Sequence, residues 1–369
     1  MKLVFDLRFL CLLFLTSNAV ITNTGASVLE ANLDGCATED QAASVTDFFP
    51  YKVHPQYSET WDVSYHGTYK LLVNKVVNET YVLYQCGTTP PQNLTINYRV
   101  MTPIPLPDGV ALTSTVQIPM FELLGLRPEI KTYLGDSQYI SSPCLLEALD
   151  SGTLEVYDPT VAMSETAGAV LWSSSHPDRI VIDNQFMTSA GQGTDKTIIE
   201  NGYLEAGAMA IFEWIHFYST LYNKEQSSQE IFDETKTRYD CTSSNAQLTA
   251  ETGAPDPVAI WAYFSDYPGY EGWLTAKCTT KFNYYCEFAK RCQIDLLSQE
   301  TGALDDAQFE EFAKDADIFF YDYTNWDEVY ANKTEMLDRF KSVQNKQVYD
   351  HEASGESTWW EQRMAEFGK

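Results

Sequence analysis

Histidine with a suitable partner can act in catalysis or bind a metal, but the histidines of this chain form no recognisable pattern of either kind. None has a ligand-like partner at helical spacing: His54, His66, His176, His216 and His351. The sequence contains no G-x-S-x-G nucleophile elbow, no H-E-x-x-H pair and no phosphate-binding P-loop. The motifs that mark serine hydrolases, zinc proteases and P-loop nucleotide enzymes are therefore missing.

Adjacent carboxylates offer a second chemistry, because an acid–base pair of this kind needs no local motif. Asp305-Asp306 and Glu310-Glu311 are such pairs, and both lie on predicted helix faces. We interpret them as solvated surface residues. A secreted hydrolase that uses carboxylates remains an alternative function.

The cysteines indicate disulfides rather than a metal centre. Seven follow the N-terminal apolar segment, so at least one is unpaired or pairs between chains: Cys36, Cys86, Cys144, Cys241, Cys278, Cys286 and Cys292. The last three are close in sequence, which predicts one local disulfide among them. Zinc sites need paired C-x-x-C or Cys/His spacing, which is absent. The sequence predicts no metal site and no cofactor.

Charge and composition limit the partners. The chain has 369 residues, 44% of them hydrophobic, which is enough for a large core and suggests two domains. Its 52 acidic and 24 basic residues give a net charge of -28, so phosphate backbones would be repelled. We expect no nucleic acid partner and no docking on anionic lipid. An acidic structural or adhesion glycoprotein is a further alternative.

The N-terminus has the features of a secretory signal peptide, which we place at residues 1–26. Lys2 and Arg8 flank or interrupt an apolar segment that is too short to span a membrane, and no later stretch could do so. Three sequons predict glycosylation at Asn78, Asn93 and Asn332. The expected location is secreted, periplasmic or at the cell surface.

The elements that must position any site alternate between strands and helices. Two strands joined by a polar turn at Asn78-Glu79 come first. Residues 110–126 then predict a strand, a turn and a helix ended by Gly125, and further strands follow at 130–133 and 179–184 around a helix at 144–149. This succession is typical of a mostly parallel sheet with helices on its faces.

A helical run occupies residues 201–239 at the centre of the chain. Apolar residues recur at helical spacing as far as Tyr222, a polar interruption follows, and a second helix begins near Gln226. The second half of the chain again alternates strands and helices. It predicts a strand at 257–265, a helix at 282–298, a helix running into a strand at 305–323, and a helix, turn and strand at 336–351.

In this order of segments the chain resembles the substrate-binding proteins of iron-siderophore and cobalamin uptake, the helical-spine class of periplasmic binding proteins. The motifs that carry the resemblance, from about residue 60 to 366, are YHGTYK, VLYQCGTTPP, LEAGAMAIFEWIHFYSTLYNKEQSSQEIF, FEEFAKDADIFFYDYTNWDEV, RFKSVQNKQVYDHE and STWWEQRMAE. Two features depart from the family pattern. Members continue past the last motif with an apolar helix, so we expect a truncated or differently closed second lobe. Cys11 is followed by further apolar residues, so it does not resemble a lipoprotein cysteine.

The resemblance implies an α/β fold of two Rossmann-like lobes with mostly parallel sheets, joined by a long inter-lobe helix. The expected division is a signal peptide at 1–26, an irregular acidic lead-in at 27–60, an N-terminal lobe at 61–225, the inter-lobe helix at 226–248 and a C-terminal lobe at 249–369. A ligand would lie in the inter-lobe cleft at the carboxyl ends of the strands.

Aromatic and hydroxyl side chains placed by that resemblance are the expected ligand contacts, because rings can stack on a planar chelate. They are Ser114, Thr115, Tyr139, Tyr263, Tyr270, Trp273, Trp326, Trp359 and Trp360. The implied function is a non-enzymatic, secreted or surface-associated solute-binding protein that captures a metal chelate (iron-siderophore, haem or cobalamin-like) for uptake. The expected partners are the small-molecule chelate and a membrane permease or receptor, and the protein is expected to be a monomer.

Overall fold

The computed structural model describes residues 20–21, 27–157, 176–184, 195–253, 255–278, 284–300 and 302–350. The predicted signal peptide lies outside these residues except at 20–21, and Trp359 and Trp360 lie outside them entirely. Among the helices in the described ranges, none combines the length and the apolar character needed to cross a bilayer.

The secondary structure alternates along most of the chain. The strands are β1 (Val20–Ile21), β2 (Ser27–Val28), β3 (Trp61–Tyr65), β4 (Tyr69–Asn74), β5 (Glu79–Gln85), β6 (Val100–Ile104), β7 (Val110–Leu112), β8 (Ile130–Tyr133), β9 (Glu155–Val156), β10 (Ile180–Asn184), β11 (Thr197–Glu200), β12 (Val258–Ser265), β13 (Gly272–Thr275), β14 (Asp295–Leu297), β15 (Ile318–Tyr321) and β16 (Val348–Asp350). The α-helices are α1 (Glu39–Ser44), α2 (Ile118–Leu123), α3 (Pro143–Asp150), α4 (Ala208–Phe212), α5 (Trp214–Thr220), α6 (Glu225–Ala250), α7 (Tyr284–Arg291), α8 (Asp306–Ala313), α9 (Trp326–Leu337) and α10 (Lys341–Gln344).

The first lobe is built on a parallel sheet with the strand order β11-β10-β7-β8-β9. All residues of β7, β10 and β11 are buried, as expected for short apolar strands covered on both faces. The chain runs outward from β7 to β9 and then returns to the other side of β7 as β10. The strand order therefore reverses between β7 and β10.

The second lobe repeats this arrangement in another five-stranded sheet. β12 pairs in parallel with β15, which pairs in parallel with β16. The other edge of β12 pairs with β14 in parallel along its first half and with β13 antiparallel along its second half. Because the chain visits β14 before β15, the order reverses between β12 and β15. The buried apolar residues of this lobe form a cluster separate from that of the first.

A four-stranded sheet, β3-β4-β5-β6, is attached to the first lobe. The predicted hairpin is present: β4 and β5 pair antiparallel, and the turn residue Asn78 has a positive φ of 53°. The segment before β3 packs on this lobe, with Phe48 and Phe49 fully buried and a disulfide joining Cys36 to Cys86.

Helix α6 runs for 26 residues between the two lobes. Near its start, Phe232 stacks on Phe212 of the first lobe, with ring centroids 6.0 Å apart. Two turns later, the hydroxyl of Tyr239 donates a hydrogen bond of 2.7 Å to Glu287 on α7 of the second lobe. The predicted α/β class, with mostly parallel sheets joined by a long inter-lobe helix, is confirmed.

Two predicted helices are shorter than expected. The run from Asn201 is not continuous, because Gly207 adopts a φ of 138° that is outside helical geometry, and α4 begins only at Ala208. The helix predicted over 282–298 ends at Arg291, and its last residues instead form β14 beside β12. Apolar periodicity does not distinguish a buried strand from the end of a helix in so short a segment.

Candidate functional site

The reversal between β7 and β10 brings polar side chains together at the carboxyl end of the first sheet. The hydroxyl of Thr113 donates to Asp183 Oδ1 at 3.1 Å and accepts from the backbone N–H of Asn184 at 2.9 Å. Gln117 accepts from the backbone N–H groups of Thr113 and Ser114 through Oε1, at 3.1 and 3.2 Å. Thr113, Gln117 and Asp183 are all buried. Parallel doubly wound sheets bind ligands at this edge.

Glu200, the last residue of β11, extends this cluster. Its Oε2 accepts a hydrogen bond from Asn184 Nδ2 at 2.6 Å, and its Oε1 accepts from the backbone N–H of Gly202. Burial raises the pKa of Glu200 to about 7; the two hydrogen bonds oppose this rise and the nearby Asp183 adds to it. The first lobe therefore holds a buried carboxyl group that titrates near neutral pH.

The predicted first-lobe contacts lie at this same edge. Ser114 is the second residue after β7 and is buried, and Thr115 beside it is half-buried. Tyr139 is in a short 3-10 turn after β8, with 36% of its surface exposed. The structure thus places all three at the carboxyl ends of parallel strands.

The reversal between β12 and β15 gathers tyrosines at the carboxyl end of the second sheet. Tyr263 and Tyr323 stack with ring centroids 5.6 Å apart and an angle of 24° between planes. In the loop after β12, Tyr267 and Tyr270 are 68% and 62% exposed. Burial raises the pKa of Tyr263, and the charge of Asp322 adds to the rise, so the two side chains are near each other. This edge offers aromatic faces beside carboxylates.

Trp273 requires a correction, because it is a core residue and not a loop residue. It lies on β13 with no exposed surface and stacks on Phe309 at 4.0 Å between centroids. Its Nε1 donates to Asp306 at 2.9 Å. The ring has no free face for a ligand, and the four-residue strand GWLT carries too little alternation to reveal itself in sequence.

Trp326 begins α9 beyond β15 and is half-buried. Its ring contacts those of Phe319, Tyr321 and Tyr330, with centroids 5.5, 4.9 and 5.7 Å away. It therefore packs against the second-lobe core near the carboxyl end of β15. Trp359 and Trp360 lie outside the described residues.

Several residues of these two edges were missed in the sequence. All four lie within two residues of the end of a parallel strand: Asp183, Glu200, Asp322 and Tyr323. That position was the available signal, but polar residues at strand ends are common in turns as well. No group of three or more acidic, histidine or cysteine side chains in the described ranges is arranged to hold a metal ion.

The cysteines and sequons take the following positions. Cys278 pairs with Cys286, the local disulfide that the sequence predicts, and in the described structure Cys144, Cys241 and Cys292 are free thiols. Asn78, Asn93 and Asn332 are all exposed. Glycosylation at these three sites stays a prediction.

Comparison with known proteins gives structural neighbours only. No family model matches the chain, and no curated protein matches its sequence. Among solved structures, a periplasmic binding protein from Veillonella parvula is similar over 66% of this chain and 77% of its own, with 13% identity and a TM-score of 0.49. The haem-binding periplasmic protein HutB of Vibrio cholerae is similar over 65% of this chain and 88% of its own, with 11% identity and a TM-score of 0.47.

A third neighbour is a protein of an Fe3+-hydroxamate transport system from Saccharomonospora viridis, which covers 70% of this chain and 91% of its own at 11% identity and a TM-score of 0.46. These are proteins of the class that the sequence motifs resemble. Identities this low concern the fold alone.

Proposed function

We propose that this chain is a solute-binding protein that captures a metal chelate between its two lobes for uptake. The supporting observation is that both sheets reverse their strand order, and that polar and aromatic side chains gather at the carboxyl ends beside both reversals. Ligands of open α/β sheets bind at such points. The two lobes are connected by one 26-residue helix, a rod of about 39 Å. Because such a helix resists bending, we expect the lobes to rotate little when they capture the ligand.

The chelate class is supported by the sequence motifs and by the tyrosines of the second lobe. Tyr263 and Tyr323 present stacked rings, and Tyr270 adds an exposed one. Aromatic rings bury much area with little loss of side-chain entropy, which suits a large planar or aromatic chelate. We extend the proposal to Ser114, Thr115 and Tyr139 on the first lobe.

The acidic pairs argue against the carboxylate hydrolase. Asp305 caps α8 by accepting from the N–H of Gln308 at 2.8 Å. Asp306 accepts from Trp273, and Glu310 binds Arg339 with two hydrogen bonds of 2.6 Å. These carboxylates are engaged in structural contacts, which favours a non-enzymatic role.

We place this function outside the cytoplasm. Residues 1–26 would direct the chain out of the cytoplasm, and the mature protein would act as a monomer that delivers its chelate to a membrane permease or receptor. The charge of -28 makes nucleic acid an unsuitable partner.

Calorimetric titration with a ferric tris-hydroxamate, haem and cobalamin tests the proposal. Tyr323→Ala is expected to weaken the binding of the accepted chelate about tenfold, because a stacking face is lost. Tyr98→Ala is the matched control, since Tyr98 precedes β6 and is 45% exposed against 43% for Tyr323. Absence of binding heat and of tryptophan quenching with all three chelates would overturn the proposal.

A further inference from the structure

The loop between β11 and α4, residues 201–207, lies at the carboxyl edge of the first sheet and also borders the second lobe. β11 ends at Glu200, so the loop begins at the edge where parallel sheets bind their ligands. At its other end, the backbone N–H of Ala208 donates to Glu287 on α7 at 2.9 Å. Phe288, beside Glu287, packs against the first-lobe core. A loop with both of these neighbours borders the inter-lobe cleft.

Glu205 fixes the middle of this loop. Its buried carboxylate accepts hydrogen bonds from the hydroxyls of Ser58 and Thr60, which lie in the segment before β3. Trp214 Nε1 donates to the same carboxylate at 3.1 Å, and the backbone N–H groups of Glu59 and Thr60 donate to it at 3.3 Å. A carboxylate removed from water needs such donors. Together they hold Glu205, and with it the loop, in one position.

Both ends of the loop are fixed as well. Asn201 Oδ1 accepts from Asn74 Nδ2 at 2.8 Å, and both residues are fully buried. Gly207 has a φ of 138°, and a Cβ atom at this position would lie 2.8 Å from Glu287 Oε2, so the approach of the second lobe requires glycine. Loops are usually more mobile than the elements they connect. Buried polar contacts along its whole length indicate that this loop is already ordered before a ligand arrives.

Tyr203 is the aromatic side chain that this loop holds at the sheet edge. It lies in the 3-10 turn Gly202–Leu204 and is half-buried, so part of its surface stays accessible. Burial raises the pKa of Tyr203, and a hydrogen bond with Asn201 opposes this rise. The charges of Glu200 and Asp183 raise the pKa further, so the phenol lies close to both carboxyl groups of the polar cluster.

We infer that Tyr203 is a further ligand-contacting residue, which presents its ring to the chelate from the first lobe, and that Glu205 is the positioning residue that holds it there. This inference rests on the proposed function and adds an aromatic contact to the polar side chains of the first-lobe edge. A ring on an ordered loop contacts a ligand at little cost in conformational entropy, because the loop does not have to be fixed during binding.

The first test measures the affinity of the full chain for whichever chelate it accepts among a ferric tris-hydroxamate, haem and cobalamin. Tyr203→Ala is expected to weaken this affinity about tenfold, because a stacking ring is lost. Tyr203→Phe keeps the ring and is expected to keep the affinity within about threefold. Tyr98→Ala removes an exposed tyrosine that precedes β6, and it should leave the affinity unchanged.

A second pair of variants tests the positioning. Thr60→Val removes one hydroxyl from Glu205 and leaves the ring of Tyr203 in place. It is expected to weaken the affinity about threefold, because the loop then adopts the binding conformation for only part of the time. Hydrogen exchange at the amides of Leu204 and Glu205 should accelerate, and saturating chelate should restore their protection. Thr220→Val removes a buried hydroxyl from α5, and it should lower stability without changing the affinity.

The outcomes separate this inference from the proposed function. Failure of all three chelates to bind would overturn the proposed function itself. A chelate that binds equally well to the unmodified protein and to Tyr203→Ala would overturn the Tyr203 contact and leave the proposed function standing. Equal losses in Tyr203→Ala and Tyr203→Phe would overturn the assignment to the ring. An affinity of Thr60→Val no lower than that of Thr220→Val would overturn the positioning role of Glu205.

Discussion

The side chain of Glu287 in the second lobe accepts a hydrogen bond of 2.9 Å from the backbone N–H of Ala208 in the first. Its other carboxylate oxygen accepts from the hydroxyl of Tyr239 on the inter-lobe helix at 2.7 Å and from Arg291 Nε at 3.2 Å. Ala208 directly follows the loop at the carboxyl edge of the first sheet and is fully buried. One carboxylate therefore connects both lobes and the helix between them.

Replacing Glu287 with alanine is expected to loosen this connection. The N–H of Ala208 would lose its acceptor while it stays buried, which costs about 1–3 kcal/mol. Hydrogen exchange at the Ala208 amide should accelerate accordingly, and urea unfolding should report a lower free energy. Glu287→Gln should lose less stability than Glu287→Ala, since an amide oxygen can still accept a hydrogen bond from Ala208.

Glu311→Ala is the control, because Glu311 is an exposed residue on α8 of the same lobe. Equal exchange protection at Ala208 in Glu287→Ala and in the unmodified protein would contradict the role of this carboxylate.

Lys70 and Glu225 form an ion pair with no exposed side-chain surface. Lys70 Nζ also donates to the carbonyl of Thr220 at 2.9 Å and to Asn223 Oδ1 at 2.8 Å, and Glu225 accepts from Asn32 at 2.7 Å. The pair thus fixes the first turn of α6 to strand β4. Lys70→Met is expected to lower the free energy of unfolding by about 3–5 kcal/mol, because Glu225 is left as an uncompensated buried charge.

The double variant Lys70→Met with Glu225→Gln should recover part of that loss, as the buried charge is removed. Chemical denaturation measures the free energy of unfolding of the single and the double variant. The exposed pair Glu234 and Arg238 on the same helix, 2.9 Å apart, is the control: replacing both with alanine should change stability by less than about 1 kcal/mol. A loss in the control as large as that of Lys70→Met would show that burial is not the cause.

Glu200 predicts a pH-dependent stability. Its pKa is raised by burial from 4.5 to about 7, so between these values the folded chain holds a proton that the unfolded chain has released. The stabilisation is complete below pH 4.5 and is lost as the pH rises through 7. A shift of this size corresponds to about 3 kcal/mol. Glu200→Gln should therefore gain stability relative to the unmodified protein by about that amount between pH 4.5 and 7.

The titration of His216 opposes that of Glu200, so the pH dependence of the unmodified protein must be compared with that of Glu200→Gln. Burial lowers the pKa of His216 from 6.5 to about 4, so the folded chain resists protonation and loses stability as the pH falls through this range. The two groups have opposite slopes where their ranges overlap, and the unmodified protein would show little net change there. Urea unfolding of both proteins at pH 5 and 7 isolates Glu200, with Glu251→Gln at an exposed site as the control. A pH-independent difference would refute the assignment.

The sequence is sufficient to predict elements whose signals are local. The alternation of β4 and β5, the turn at Asn78 and the long helix α6 are all present in the structure. The polar cluster of the first lobe was not predictable in this way. Thr113 and Asp183 are 70 residues apart and meet only because their strands are neighbours at the reversal of the sheet.

Burial of aromatic residues was the least predictable feature. Trp273 and Tyr270 are three residues apart, yet one is fully buried on a strand and the other is 62% exposed in a loop. No hydrophobic periodicity in the surrounding sequence distinguishes the buried residue from the exposed one. The difference is imposed by Phe309 and Asp306, which contact the Trp273 ring from α8 and are distant in sequence.

The two disulfides close loops of different length and are expected to stabilise the fold unequally. Cys36 and Cys86 are separated by 50 residues, and Cys278 and Cys286 by 8. Restriction of the unfolded chain gives roughly 4 kcal/mol for the longer loop and about 2.5 kcal/mol for the shorter one.

Replacing Cys36 and Cys86 together with alanine should therefore lower the denaturation midpoint more than replacing Cys278 and Cys286. The first bridge also joins the segment before β3 to Cys86, the residue that follows β5, whose carbonyl accepts a backbone hydrogen bond of 2.7 Å from Ala37. That contact and the buried Phe48 and Phe49 should keep the segment attached in the variant. Limited proteolysis near Gly35 checks this point. An equal or smaller loss for the longer loop would show that native-state contacts, and not loop length, decide the contribution of each bridge.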